Sequence, residues 1–122
     1  MKSYTDLEQS KKLAEILPLE SADMYYALSE DECMNMINFG KSQGFFDKTQ
    51  VAWSLAALRN LLPVAIKVNE NTYLFESHNT FDNSWVYRYY NEDDVSYLYY
   101  KDTNEVDACY EMILKLRELK ML

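Results

Sequence analysis

The chain has only two glycines and two prolines among its 122 residues. Few glycines mean few backbone positions with positive φ, so we expect regular elements joined by modest loops. The two cysteines, Cys33 and Cys109, are far apart and form neither a CxxC pair nor a zinc-ligand spacing. We therefore expect free, buried thiols, no disulfide, and a reducing, cytoplasmic location.

Histidine is scarcer still, because His78 is the single one in the sequence. A Ser–His–Asp or Cys–His catalytic set would have to use it, and no GxSxG motif accompanies it. Dinucleotide-binding, P-loop and EF-hand glycine motifs are missing too. We expect no catalytic residue, no metal site and no cofactor, and we interpret His78 as an ordinary residue of a polar loop.

No apolar run near the start is long enough for a signal peptide or a membrane span. Acidic residues outnumber basic ones by 20 to 12, which gives a net charge of −8. Such a surface repels phosphate backbones and anionic lipids, so neither nucleic acid nor a membrane is an expected partner. The length and the hydrophobic content of 48% fit a single globular domain over residues 1–122.

Hydrophobic periodicity predicts one helix near the start of the chain and another in its middle. Thr5 and Glu8 fit a capping box, so we expect the first helix over about residues 5–16. The second is expected over residues 50–62, where apolar side chains around Trp53 cover nearly the whole circumference. A helix apolar on most sides is buried on most sides, so this one is expected to be the central core helix.

Three further segments indicate elements of their own. The segment Ala22–Leu28 is either a short strand or irregular packing. Residues 29–40 fit a short helix that ends at Gly40. Apolar spacings of three and four predict a C-terminal helix capped by Asp102 or Thr103.

Between residues 64 and 101 the hydrophobic period changes from 3.6 to two. This change predicts a four-stranded antiparallel meander, with the sequences NEN and NEDD as tight turns and HNTFDN as a polar loop. The expected fold class is therefore α+β, with about four antiparallel strands packed against N-terminal, central and C-terminal helices.

The stretch Trp85–Tyr100 holds one tryptophan and six tyrosines around a short acidic turn. If Asn91–Asp94 form that turn, Arg88 lies opposite Tyr97, and directly opposed residues share a face of the sheet. One face, with Trp85, is expected to cover the helices; it carries Trp85, Tyr87, Tyr89, Ser96, Leu98 and Tyr100. The other face is expected on the solvent side because it holds both basic residues; it carries Val86, Arg88, Tyr90, Val95, Tyr97, Tyr99 and Lys101.

Arg88, Tyr90, Tyr97 and Tyr99 thereby form a candidate protein-contact face, with Arg88 stacked on Tyr97. Tyrosine and arginine are over-represented in protein interfaces, because they provide much contact area for little lost entropy. The alternative is a plain cross-strand ladder, because aromatic residues are good strand formers. A register slip of one residue would exchange the two faces.

Two hypotheses for function fit these patterns. The first is a non-enzymatic protein-interaction module that binds another protein or a second copy of itself, which makes a homodimer possible. The alternative is a small enzyme or ligand-binding domain that uses acidic and tyrosine residues in a cleft. The acidic clusters Glu30–Glu32 and Glu92–Asp94 could in principle hold a hard cation, although solvated charges are the ordinary interpretation of a turn.

Three segments carry a resemblance to a known group of sequences: EQSKKLAEILPLESADMYY at residues 8–26, WSLAALRNLLP at 53–63 and DACYEMILKLRELKML at 107–122. The chain resembles a family of small uncharacterised proteins from anaerobic gut bacteria, often encoded beside phage-like or mobile-element genes. The segments cover somewhat under half of the chain, and the tyrosine-rich stretch lies outside them. The resemblance implies a phage or mobile-element accessory protein and no particular chemistry.

Overall fold

The computed structural model describes residues 2–27, 36–39 and 49–122. The fold class is α+β, as the sequence predicted, with helices near both ends and in the middle and two antiparallel sheets. The chain divides into two compact units. We call Ser3–Ala57 the N-terminal unit, and Lys2 together with Leu58–Leu122 the C-terminal unit.

The N-terminal unit begins with helix α1 (Leu7–Ile16), which a short 3-10 helix (Leu19–Ser21) follows. Its sheet places strand β1 (Met24–Ala27) between β2 (Met36–Phe39) and β3 (Thr49–Ala52), with both pairings antiparallel. A cluster of buried side chains fills this unit, and Tyr4 and Leu7 pack against it; its members are Met24, Tyr26 and Ala52.

Helix α1 starts two residues later than predicted, because Asp6 and not Thr5 is its N-cap. The Asp6 carboxylate accepts a 2.8 Å hydrogen bond from the Gln9 amide, and the Gln9 side chain accepts one from the Asp6 amide. Thr5 is fully buried instead, where its hydroxyl accepts a hydrogen bond from the Trp53 amide. A capping box is present, but it is shifted by one residue from the predicted pair.

The predicted helix over residues 50–62 is wrong in its first half. Residues 49–52 form β3, which pairs with β1, and the helix α2 extends only over Leu55–Leu61. Ser54 accepts a 3.1 Å hydrogen bond from the Ala57 amide and so occupies an N-cap position. Trp53 lies between the two elements and is fully buried, so its predicted burial is confirmed.

The helix predicted over residues 29–40 is also wrong where it can be compared, because Met36–Phe39 form strand β2. Residues 29–35 and Gly40 lie outside the described residues, and so does Cys33. The segment Ala22–Leu28 contains strand β1, so the first of the two interpretations of that segment is correct.

The C-terminal unit contains the predicted four-stranded meander. Its strands are β4 (Ala65–Val68), β5 (Asn71–Asn79), β6 (Trp85–Tyr90) and β7 (Ser96–Asp102), hydrogen-bonded in that order. Strand β5 is longer than expected and includes His78, which lies opposite Val86 of β6. The interpretation of His78 as a loop residue is therefore wrong. The first turn is shorter than expected, because Val68 pairs directly with Asn71.

Helix α3 (Glu105–Glu118) packs on β6 and β7. Its N-cap is Asn104, whose side chain accepts a hydrogen bond from the Asp107 amide; the predicted caps, Asp102 and Thr103, lie just before it. The predicted apolar stripe is confirmed, since its buried members recur every three or four residues; they include Val106, Cys109, Met112, Ile113 and Leu116. Among the described residues, no helix has the length and hydropathy needed to cross a membrane.

Candidate functional site on the outer face of the meander

The pairing of β6 with β7 sorts the tyrosines onto two faces, but the register differs from the prediction by two residues. Arg88 lies opposite Tyr99, and Tyr87 lies opposite Tyr100, whereas we expected Tyr97 opposite Arg88. The connection takes up more residues than a four-residue turn, and a bulge interrupts the pairing near the end of β6. Side chains alternate with a period of two, so a two-residue shift leaves most residues on their predicted faces.

The inner face of this sheet is packed with aromatic rings, as predicted. Tyr87 and Tyr89 are fully buried, and Leu98 is buried beside them. Phe75 of β5 contacts both tyrosine rings, with centroid distances of 5.5 Å to Tyr87 and 5.4 Å to Tyr89. These phenol rings are core residues and not a binding platform.

A network of three side chains, Tyr87, Glu105 and Arg59, connects this inner face to α3. The Tyr87 hydroxyl donates a 2.6 Å hydrogen bond to Glu105 Oε2, and Arg59 Nη1 lies 2.6 Å from the same oxygen. Burial, together with the bond to Glu105, raises the pKa of Tyr87 far above its usual range. Burial also raises the pKa of the neighbouring Cys109 thiol to about 12.

Acidic and tyrosine side chains, which the enzyme hypothesis combines, do meet here. A general acid or base must reach the atom that it protonates or deprotonates, and Tyr87 is fully buried. Burial raises the pKa of this phenol, which donates its proton in a hydrogen bond to Glu105. The geometry therefore favours a structural role for the network.

The outer face is organised around the guanidinium of Arg88. This group lies over the ring of Tyr90, 4.5 Å from its centroid. Its Nε lies 2.6 Å from Glu76 Oε2 on β5, and its Nη2 lies 2.8 Å from Asp94 Oδ1 in the connection after β6. The bond to Glu76 is the main cause that raises the pKa of Arg88. Arg88 is thus engaged within its own sheet and fixes the positions of its neighbours.

Tyr97 is separated from the other predicted contact residues. Tyr89 pairs with Leu98 and Tyr90 pairs with Ser96. Tyr97 is therefore the extra residue of the β-bulge, with no residue of β6 directly opposite it. Its ring lies 5.2 Å from that of Tyr73. Tyr73 shares its side of β5 with the inner-face residue Phe75, so Tyr97 reaches toward the inner face. Of the four candidates, the structure brings together Arg88, Tyr90 and Tyr99.

Leu74 and Glu76 of β5 belong to the same face and were not identified from the sequence. Leu74 lies opposite Tyr90, and Glu76 lies opposite Arg88. The signal that could have identified them is the period-two alternation of β5, combined with the register in which β5 pairs with β6. We call the surface formed by Leu74, Glu76, Arg88, Tyr90 and Tyr99 the Arg88 face.

A groove with a volume of about 410 Å³ lies at one end of the Arg88 face. Leu74 and Tyr90 are part of its lining. The turn before β5 contributes Glu70 to the lining, and the turn after β6 contributes Glu92 and Asp93. The two turns lie at the same end of the sheet because consecutive strands of a meander reverse direction.

The acidic clusters provide no metal site in the described part of the chain. No group of three or more His, Cys, Asp or Glu side chains there is placed to hold a metal ion. Asp94 instead pairs with Arg88. The other cluster, Glu30–Glu32, lies outside the described residues.

Comparisons with protein-family models, with curated proteins and with solved structures found no match. The resemblance to a gut-bacterial family drawn from the sequence therefore stays a prediction.

Proposed function

We propose that this protein is a non-enzymatic protein-interaction module and that the Arg88 face is its contact surface. The observation that carries the proposal is the distribution of exposed apolar side chains. Among the described residues, every large exposed apolar side chain except Leu19 falls between Val64 and Tyr99. Leu74 and Tyr99, which are 47% and 53% exposed, both lie on the Arg88 face.

The face is also held in place before any partner arrives. Arg88 is fixed by Glu76, Asp94 and the ring of Tyr90 at once. Groups that are already ordered lose less entropy on binding, so more of the contact energy appears as affinity. Tyrosine adds rigid apolar area with a hydroxyl that water or a partner can satisfy. If the resemblance of the sequence holds, the partner belongs to the host of a phage or mobile element.

The double variant Leu74→Ser/Tyr99→Ser tests this proposal. Both side chains are about half exposed, so the free energy of unfolding is expected to change by no more than about 1 kcal/mol. Affinity capture from a lysate of the source cells should lose its specific partner with this variant and keep it with the control Leu19→Ser/Phe81→Ser. Leu19 and Phe81 are also exposed but lie off the Arg88 face.

Sedimentation equilibrium of the same proteins covers the case in which the partner is a second copy. A homodimer through the Arg88 face would dissociate in the double variant and persist in the control. An unchanged set of captured proteins together with an unchanged mass would contradict the proposal.

A further inference from the structure

We propose that the groove at the end of the Arg88 face takes a lysine or arginine side chain from a basic segment of the partner protein. This inference rests on the proposed function, because it names the chemistry of the partner for the same surface.

The size and lining of the groove fit a long side chain with a charged end. Its volume of about 410 Å³ falls in the range of sites that enclose small ligands or side chains. Leu74, which is 47% exposed, offers apolar contact to a methylene stem. Tyr90 adds further apolar contact area, since Arg88 already lies over its ring.

The charge of the groove is not balanced by the described residues. Glu70, Glu92 and Asp93 are exposed, and none of them takes part in an ion pair between described side chains. On this face Arg88 is already paired with Glu76 and Asp94. The exposed Lys67, opposite the lining residue Thr72, balances at most one of the three carboxylates. Three carboxylates therefore line the groove together with Leu74 and Tyr90, and the net charge of −8 further attracts a cationic partner.

A segment of a protein fits this surface better than a free amine does. Beyond the groove, the Arg88 face continues past Arg88 to Tyr99, which is 53% exposed. A free diamine or polyamine would leave this area uncovered. A chain that inserts one cationic side chain into the groove would extend over it and bury both regions.

Nitrogen-15 NMR titration of the full chain tests the proposal with a defined probe. The probe is a blocked pentapeptide in which two arginines are flanked by leucines, and its counterpart carries citrulline, which has nearly the same shape without the charge. Spermidine serves as the free polyamine. The variant is Glu92→Gln/Asp93→Asn, and the control is Glu20→Gln/Glu111→Gln, which removes the same charge from exposed sites on other elements.

The arginine peptide should shift amide signals of residues 70–74 and 90–93 and of Tyr99. Its affinity should fall roughly fivefold in Glu92→Gln/Asp93→Asn, as expected for the loss of one or two screened charge pairs, and stay unchanged in the control. The citrulline peptide should bind more weakly, and spermidine should leave the Tyr99 signal in place.

An equal loss of affinity for the arginine peptide in both variants would show that net charge alone attracts the peptide. Equal binding of the citrulline peptide would show that binding in the groove does not depend on the positive charge. Either outcome overturns the inference, as does spermidine that reproduces every shift. The proposed function is judged separately: loss of the captured partner in Leu74→Ser/Tyr99→Ser without arginine binding would leave the Arg88 face as a contact surface for a partner of different chemistry.

Discussion

The guanidinium of Arg88 lies over the ring of Tyr90 at 4.5 Å from its centroid, two residues along the same strand. The same guanidinium pairs with Glu76 on the neighbouring strand and with Asp94 in the following turn. One side chain thereby connects β5, β6 and the connection to β7. The ordered outer face of the sheet depends on this arrangement, which makes Arg88 a positioning residue more than a free contact residue.

Replacing Arg88 with methionine should lower the free energy of unfolding by about 1–2 kcal/mol. The variant loses two charge-assisted hydrogen bonds and the contact with Tyr90, although the exposed Asp94 can rehydrate. The free energy of unfolding of Arg88→Lys should fall between those of the wild type and of Arg88→Met. Lysine keeps the charge, but its ammonium lacks the planar set of donors of a guanidinium. Urea denaturation measures both.

Lys101 supplies the matched control, since its ion pair with Asp82 lies at the surface. Lys101→Met should cost less than about 0.5 kcal/mol. If Arg88→Met were no more costly than Lys101→Met, the Arg88 arrangement would be an ordinary surface ion pair.

Tyr87→Phe should destabilise the fold more than Tyr89→Phe does. Tyr87 donates to the carboxylate of Glu105, so its loss should cost about 1.5–3 kcal/mol. Tyr89 donates a 2.7 Å hydrogen bond to the neutral carbonyl of Pro63, which is worth about 0.5–1.5 kcal/mol. Chemical denaturation of the two variants under identical conditions gives the order, and a reversed order would refute the structural role of the Glu105 network.

Trp53→Ala should cost about 3–5 kcal/mol, the usual range for emptying a buried aromatic position. Trp53→Phe keeps most of the ring volume and loses the 2.9 Å hydrogen bond from Nε1 to Ser21 Oγ, so a smaller loss of about 1–2 kcal/mol is expected. Thermal and urea unfolding report the difference. A Trp53→Ala protein with an unchanged transition would contradict the burial of this side chain.

Stability should fall as the pH rises above about 9. The pKa of Tyr87 and of Tyr89 is raised mainly by burial, and burial raises the pKa of Cys109 to about 12. All three groups are neutral when protonated, so the folded state keeps protons that the unfolded chain releases near its ordinary pKa values of roughly 9–10. Their stabilisation is present in full below that range and is lost as the pH approaches the raised values.

Urea midpoints measured between pH 7 and pH 11 test this expectation. The Tyr87→Phe variant should lose stability less steeply above pH 9, because one of the groups that release protons on unfolding is gone. Identical slopes in the two proteins would show that Tyr87 does not contribute to the alkaline transition.

Much of the fold could be predicted because its periodicities are strong. The change to a period of two after residue 64 and the spacings in the C-terminal helix each identify one element type. The stretch before Trp53 is predicted as a helix but forms a strand. Its pattern does not distinguish the two, because a short buried strand and a buried helix are equally apolar. Residues 49–52 form a strand because β3 pairs with β1, a contact between residues distant in sequence.

The candidate site could be predicted only in part, since its faces depend on register. Period-two alternation placed Arg88, Tyr90 and Tyr99 together correctly. The bulge that redirects Tyr97 has no sequence signature that we could identify. Leu74 and the groove require the pairing of β5 with β6 and the meeting of two turns at one end of the sheet.

The most direct test of the Arg88 face as a protein-contact surface is site-specific photo-crosslinking in the source cells. A benzophenone amino acid replaces the exposed Tyr99 in one protein and the exposed Glu111 of α3 in another. Our account predicts a discrete covalent adduct of one mass from position 99, reduced by Leu74→Ser, and no such adduct from position 111. The same adducts from both positions, or none from position 99, would contradict it.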